Sequence, residues 1–145
     1  MRHPLTHISS SLLKKAQIAT GFLLLVCACS IYLIFRSRDI TLYRWCCSLG
    51  LTEHIQPIRM SASQLYVPDF IKYSLPDGLY CASYILLMDA VWQDKGISKT
   101  IAVALIPSVA IIHEAAQGLG IANGTFDMND LICYAMPLML YLILR

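Results

Sequence analysis

The sequence has few charged residues. Only 14% of its 145 residues are Asp, Glu, Lys or Arg, whereas a soluble domain carries about 25%. Polar side chains could not cover a soluble globule of this size, because 57% of the residues are hydrophobic. The chain also lacks a dense Lys/Arg cluster, and its net charge is only +2, which argues against a nucleic-acid partner. These deficits favour a small integral membrane protein.

Long apolar runs account for the low charge. The run at 18–35 is the clearest, because no charged residue lies between residues 16 and 35 and basic residues flank both ends. Further runs at 75–92, 97–118 and 127–144 are interrupted by a few polar side chains. A transmembrane helix needs about 20 apolar residues. We therefore predict an all-α fold in which residues 1–145 form a single membrane domain with about four transmembrane helices.

The segment 36–74 is the one sizeable extramembrane piece that this division predicts. Within it, Leu42, Trp45, Cys46 and Leu49 recur with helical spacing, and Gly50 follows as a stop signal. We predict a short amphipathic helix lying in the membrane interface. The rest of this outer loop is expected to cap the bundle.

Basic residues predict the orientation. The turn between the last two runs contains no Lys or Arg, which suits an outer turn, so both termini are expected in the cytoplasm. The inner side would then carry Arg2, Lys14, Lys15, Lys95, Lys99 and Arg145, and the outer side Arg36, Arg38, Arg44, Arg59 and Lys72.

Alternating helix direction brings the scarce polar residues together. The start of the second span, the end of the third and the start of the fourth lie at the same face of the membrane in either orientation. Ionisable side chains within a membrane are costly and commonly functional. We therefore predict a ligand-binding cluster at this face, formed by Asp77, His113, Glu114, Gln117, Asp127 and Asp130.

Helix capping offers a competing role for some of these acids. Ser74 stands three residues before Asp77, and Asp127 stands three residues before Asp130, as in a capping box at a helix start. Asp89, near the other end of its span, is interpreted as a structural residue that caps or reaches toward Lys95.

Glu114 is the strongest single candidate for chemistry. A half-buried carboxylate at this place could bind a proton, a cation or a polar head group, and in an enzyme it would act as the general base. In the alternative, Glu114 bonds to Gln117 and to the turn before the last span, and so ties two helices together. The sequence leaves both interpretations open.

Metal binding has little support in the sequence. His113, Glu114 and Gln117 are similar to the His-Glu-x-x-His pattern of zinc proteases, but Gln replaces the second histidine and is a poor zinc ligand. The acids of the cluster could supply oxygen ligands to a hard divalent cation, although capping explains some of them as well. We expect no bound metal and no cofactor.

The second half of the chain resembles a known family. Glu114-x-x-Gln117, followed after the turn by Gly124-Thr125-Phe126-Asp127 and Asp130, is similar to the paired motifs of the VanZ-like family of small bacterial membrane proteins. The run Leu-Pro-Asp-Gly-Leu-Tyr at 75–80 is similar to the acidic start of that family's preceding helix. The resemblance extends from about residue 68 to residue 144.

This resemblance implies a multi-pass protein of the bacterial cytoplasmic membrane with a role in the cell envelope. The family is associated with low-level resistance to the glycopeptide teicoplanin. The expected partners are membrane lipids, a lipid-linked envelope precursor or a membrane protein. Two other functions stay open on the sequence: an enzyme acting on a polyprenyl or phospholipid substrate, and a structural subunit of a membrane complex.

Overall fold

The computed structural model describes the backbone of residues 4–92 and 96–144, with side chains from residue 11 onward within those ranges. The described residues form helices joined by turns and contain no strand. The all-α class is therefore confirmed. The helices are α1 (Pro4–Phe35), α2 (Thr41–Ser48), α3 (Thr52–Ser63), α4 (Asp69–Val91), α5 (Ile97–Gly118) and α6 (Met128–Leu144).

Helices occupy all the predicted spans, and α1, α4, α5 and α6 pack as an up-down-up-down bundle. α1 and α4 run antiparallel, because Gln17 bonds Asp89 near one end and Tyr32 bonds Asp77 near the other. The alternation continues through α5 and α6. The ends of α1 and α5 and the starts of α4 and α6 therefore meet at one end of the bundle.

α4 is the central helix, since it packs against α1, α5 and α6. Small side chains line these contacts, and Ser74, Cys81 and Ser83 are buried. Small residues let helix backbones approach closely. A Cβ added at Gly78 would lie 3.1 Å from the Cβ of Cys133 on α6. This packing explains how a comparatively polar helix can occupy the middle of an apolar bundle.

Two helices among the described residues are long and apolar enough to cross a membrane. They are the part of α1 at Ser11–Phe35 and the whole of α5. α4 has the length but is more polar, and α6 is apolar but has only 17 residues. Large apolar side chains such as Phe22, Leu23 and Ile112 are exposed on α1 and α5. Such an extended apolar surface suits contact with lipid.

The segment 36–74 contains one helix that was predicted and one that was not. α2 is present where the apolar spacing predicts a helix, and it ends before Gly50, which has a φ of 72°. Trp45 on α2 and Leu49 just after it are exposed, whereas Tyr43 and Cys46 are buried. α3 was missed, because Pro57 lies inside it and its sequence is polar on average.

α4 begins at Asp69, before the predicted start at residue 75. Pro68 enters the helix in an extended conformation, and Asp69 places a carboxylate in the first turn, where the helix dipole favours it. Ser74 therefore lies inside the helix, and its buried hydroxyl has no hydrogen-bond partner. The predicted capping box of Ser74 and Asp77 is wrong.

The opposite end of the bundle has its own polar group. Lys99 Nζ lies 2.7 Å from Asp89 Oδ1, which also accepts a hydrogen bond from Tyr141, while Gln17 Nε2 donates to Asp89 Oδ2 at 2.8 Å. Asp89 thus ties α4 to α1 through Gln17, to α5 through Lys99 and to α6 through Tyr141. The expected partner Lys95, together with Arg2 and Arg145 of the predicted orientation, lies outside the described residues.

Candidate functional site

Asp77 is the middle of a polar group that joins α1, α4 and α6. The hydroxyl of Tyr32 donates to Asp77 Oδ1, and the hydroxyl of Tyr134 donates to Oδ2 at 3.1 Å. Nη2 of Arg36 lies 3.7 Å from Asp77 Oδ2. We call Tyr32, Arg36, Asp77 and Tyr134 the Asp77 centre. A guanidinium and two hydroxyls offset part of the cost of placing a carboxylate among apolar helices.

Aromatic rings hold Arg36 against the bundle. Its guanidinium carbon lies 5.1 Å from the ring centroid of Tyr32 and 5.0 Å from that of Tyr73, within the range of cation–π attraction. Nη2 also donates to the backbone carbonyl of Tyr73 at 3.2 Å. In the sequence, Arg36 stood out only as a basic residue at the end of the first span and as one of the charges that predict the orientation. The spacing of Tyr32 and Arg36, four residues apart at the end of a helix, is the signal that could have paired them.

Three buried polar atoms, one in the Asp77 centre and two near it, have no hydrogen-bond partner. They are Nε of Arg36, Oγ of Ser74 and Oδ1 of Asp130, and no other buried side-chain nitrogen or oxygen is unpartnered within the described residues. Arg36 pairs with Asp77, Ser74 lies about one helical turn before it, and Asp130 acts on it electrostatically. An unpaired buried polar group costs about 1–3 kcal/mol, so proteins seldom leave one without water or a ligand.

A cavity of about 330 Å³ adjoins the Asp77 centre. This volume lies in the range of small-molecule sites, about 300–1,000 Å³. The cavity combines polar and apolar walls, which suits an amphipathic ligand. Its lining residues are Tyr32, Asp77, Tyr80, Cys81, Ile106, Ala110 and Tyr134.

Glu114 ties the end of α5 to the start of α6. Its Oε1 accepts a hydrogen bond from the backbone N–H of Asp127 at 2.6 Å, and the residue is only 5% exposed. Asp127 caps α6, since its Oδ1 accepts the N–H of Asn129 at 2.8 Å. In a capping box, an acid of the same helix would bond the amide of the capping residue. Here Glu114, which lies on α5, accepts that hydrogen bond instead. Capping by Asp127 is therefore confirmed, and the expected capping-box role of Asp130 is wrong.

Gln117 packs against the turn that connects α5 and α6. Its Nε2 lies 3.1 Å from Nδ1 of His113, so the expected bond between Gln117 and Glu114 is replaced by one to His113. Gly124 has a φ of 136°, and a Cβ there would lie 2.6 Å from Gln117 Nε2. Only glycine fits this position without displacement of the glutamine. The Glu-x-x-Gln and Gly-Thr-Phe-Asp motifs are therefore in direct contact.

The residues of the predicted cluster lie at one end of the bundle but in two groups. Asp77 belongs to the Asp77 centre with Asp130 nearby, while Glu114 and Asp127 form the tie between α5 and α6 beside His113 and Gln117. The described residues contain no group of three or more His, Cys, Asp or Glu side chains that could hold a metal ion. The acids thus do not form the ligand set that a hard cation would require.

Arg59 stabilises the end of α1 that carries Arg36. Its guanidinium donates to the backbone carbonyls of Leu33 and Arg36, the latter at 2.7 Å, and lies 5.1 Å from the ring centroid of Tyr43. The last carbonyls of a helix have no partner within it, and a cation there also complements the helix dipole. This residue was missed because α3, which carries it, was not predicted.

Fold and site together define a class: an all-helical protein with two helices suited to a membrane and a polar centre enclosed between helices. No known family model, curated protein or solved structure matches the chain. A functional assignment therefore depends on the residues and their geometry.

Proposed function

We propose that the chain is a VanZ-like multi-pass protein of the bacterial cytoplasmic membrane in which α1, α4, α5 and α6 all cross the bilayer. The central position of α4 supports this proposal, because its neighbours shield its polar residues from lipid. α6 has 17 residues, which is the lower end of the range for a transmembrane helix. The contact between Gln117 and Gly124 supports the family assignment, since it brings two family-like motifs together.

In the proposed orientation, both termini are cytoplasmic and the Asp77 centre faces outward. The turn between α5 and α6 supports it, because this turn lies at the same end as Asp77 and contains no Lys or Arg. The outer end would then hold α2 and α3. The exposed Trp45 and Leu49 of α2 suit the membrane interface, where tryptophan is enriched.

The Asp77 centre is proposed to bind the head group of a lipid-linked envelope ligand. The three unpartnered atoms are the observation that carries this proposal. Nε of Arg36 can only donate, a carboxylate oxygen such as Oδ1 of Asp130 is an acceptor, and the hydroxyl of Ser74 can donate and accept. A head group with hydroxyl or amide groups offers both complements, and the apolar wall of the adjoining cavity suits its hydrocarbon part.

The test compares teicoplanin susceptibility in a host that lacks the protein and expresses wild type, Ser74→Ala, Asp77→Asn or Leu105→Ala. Ser74→Ala removes a buried hydroxyl without a partner, so the fold should be unharmed while a ligand contact is lost. Leu105 is 53% exposed and serves as the control. Wild type and Leu105→Ala should protect the host, whereas Ser74→Ala and Asp77→Asn should leave it as susceptible as without the protein.

Two results would contradict the proposal in different ways. Full protection by both Ser74→Ala and Asp77→Asn, at equal expression, would mean that the Asp77 centre binds no ligand needed for resistance. Absence of protection by wild type would show that the role in teicoplanin resistance is wrong for this chain.

A further inference from the structure

A second cavity, of about 360 Å³, lies where α1 ends. Its walls come from the end of α1 and the residues just after it, from α3 and the residues after it, and from the first two turns of α4. The charged residues of the wall are all basic, and no lining residue is acidic. They are Arg38, Arg59 and Lys72. We call this space the basic cavity. A site of one charge sign with a concave shape concentrates ions of the opposite sign.

The basic cavity also has an apolar side. Ile34 and Phe35 from α1 line it together with Met60 and Leu65, and the last two are 61% and 65% exposed. A free anion gains nothing from such neighbours. An anionic group attached to hydrocarbon chains could use both the cations and the apolar side chains.

If α1 crosses the membrane, as the proposed function requires, the basic cavity lies at the level of the lipid phosphates. This step rests on the proposed function. Phe35 is the last residue of α1, so the cavity lies where the apolar span stops. Lys and Arg near the ends of spans extend their charged groups toward the head groups. Tyr73, which also lines the cavity, is a residue type enriched at that level.

The cations of the basic cavity are available to an anion to different degrees. Arg59 covers the carbonyls of Leu33 and Arg36, and thereby offsets the negative end of α1 that would otherwise repel an anion. Lys72 Nζ lies 3.5 Å from Asp69, but the side chain of Asp69 is 84% exposed, and exposed pairs contribute little. Arg38 forms no salt bridge within the described part of the chain.

We propose that the basic cavity binds the phosphate of an anionic membrane phospholipid. Arg38 and Lys72 are the phosphate ligands, and Arg59 is a positioning residue that holds the end of α1. The acyl chains lie along Phe35 and the neighbouring apolar side chains. This site is separate from the Asp77 centre, and its ligand is a bulk lipid that anchors the outer segment.

Native mass spectrometry of the full chain in a non-ionic detergent tests this proposal. Phosphatidylglycerol is the probe, and diacylglycerol with the same acyl chains is the uncharged comparison. The double variant Arg38→Gln with Lys72→Gln should bind phosphatidylglycerol at least about tenfold more weakly, because it removes both charge-assisted bonds to the phosphate. Lys14→Gln with Lys15→Gln removes the same charge at the other end of α1 and should leave binding unchanged. Diacylglycerol should bind weakly to every variant.

Three results would overturn the proposal: unchanged lipid binding in the Arg38 and Lys72 variant, an equal loss in the Lys14 and Lys15 variant, or displacement of the lipid by equimolar inorganic phosphate. The last would identify a site for free phosphate. Ser74→Ala should retain phosphatidylglycerol binding. If the Arg38 and Lys72 variant binds the lipid as wild type does, while Ser74→Ala loses teicoplanin protection, this inference is wrong and the proposed function stands.

Discussion

Asp77 is a carboxylate within the central helix, and its immediate neighbours determine the cost of keeping it there. Each carboxylate oxygen accepts a hydrogen bond from a tyrosine, and Arg36 supplies the opposite charge. An isolated buried charge costs several kcal/mol, and removal of one partner exposes part of that cost. The hydroxyls of Tyr32 and Tyr134 are therefore as important to this centre as the arginine.

Tyr134→Phe should lower the free energy of unfolding by about 1–2 kcal/mol, because it leaves Asp77 Oδ2 without that donor inside the bundle. Reversible unfolding by dodecyl sulfate in mixed micelles measures the change. Tyr66→Phe is the matched control, since Tyr66 is 96% exposed and the substitution should have no effect. Equal stability of the two variants would show that the hydroxyl of Tyr134 does not support Asp77.

The sequence predicted the acidic members of the site better than their partners. Asp77 and Glu114 are conspicuous because ionisable residues are scarce in apolar runs. Tyr32 and Tyr134 are not, because a tyrosine in an apolar helix is as often a residue of the membrane interface. Alternation of helix direction predicted which ends meet, but it could not assign the partner of each acid, which depends on the rotation of every helix about its axis.

At the level of helices, the sequence predicted the position of a helix well where an apolar run or an apolar periodicity coincides with the helix that packs in the fold. α2, α5 and α6 lie close to the predicted places, because apolar periodicity or length marks them, and α1 ends at Phe35 as predicted. α1 begins at Pro4, well before the predicted start at residue 18, since its first turns are polar. α4 starts earlier than expected, since its first turns are polar and lie beyond the apolar run. α3 contains Pro57 and is polar on average, and its contribution is the contact of Arg59 with the end of α1.

The turn between α5 and α6 provides a test at this scale. Gly124→Ala should destabilise the fold more than Gly120→Ala. Gly120 has a φ of 70°, in the left-handed region that costs a residue with a Cβ about 1–2 kcal/mol. Gly124 has a φ of 136°, outside that region, and a Cβ there would also meet the side chain of Gln117. Chemical unfolding of both variants measures the difference. Adding Gln117→Ala to Gly124→Ala should recover the steric part, and equal costs at both glycines would contradict the contact.

The whole molecule separates its polar groups into two ends. One end holds the Asp77 centre, the Glu114 tie and the basic cavity, while the other holds Asp89 with Lys99. Apolar helix surface lies between them. An orientation across a membrane would give these ends different surroundings, and the head-group ligand proposed for the Asp77 centre requires that end to face outward.

Labelling with a membrane-impermeant maleimide tests this central claim most directly. Single cysteines are introduced in a chain whose six native cysteines are replaced by alanine, at exposed positions of the two ends: Ser63→Cys and Asn123→Cys at one, Ser11→Cys and Ser98→Cys at the other. We predict that the first pair reacts in intact cells and that the second pair reacts only after the membrane is permeabilised. Reaction of Ser11→Cys or Ser98→Cys in intact cells, or protection of Ser63→Cys and Asn123→Cys, would contradict the account.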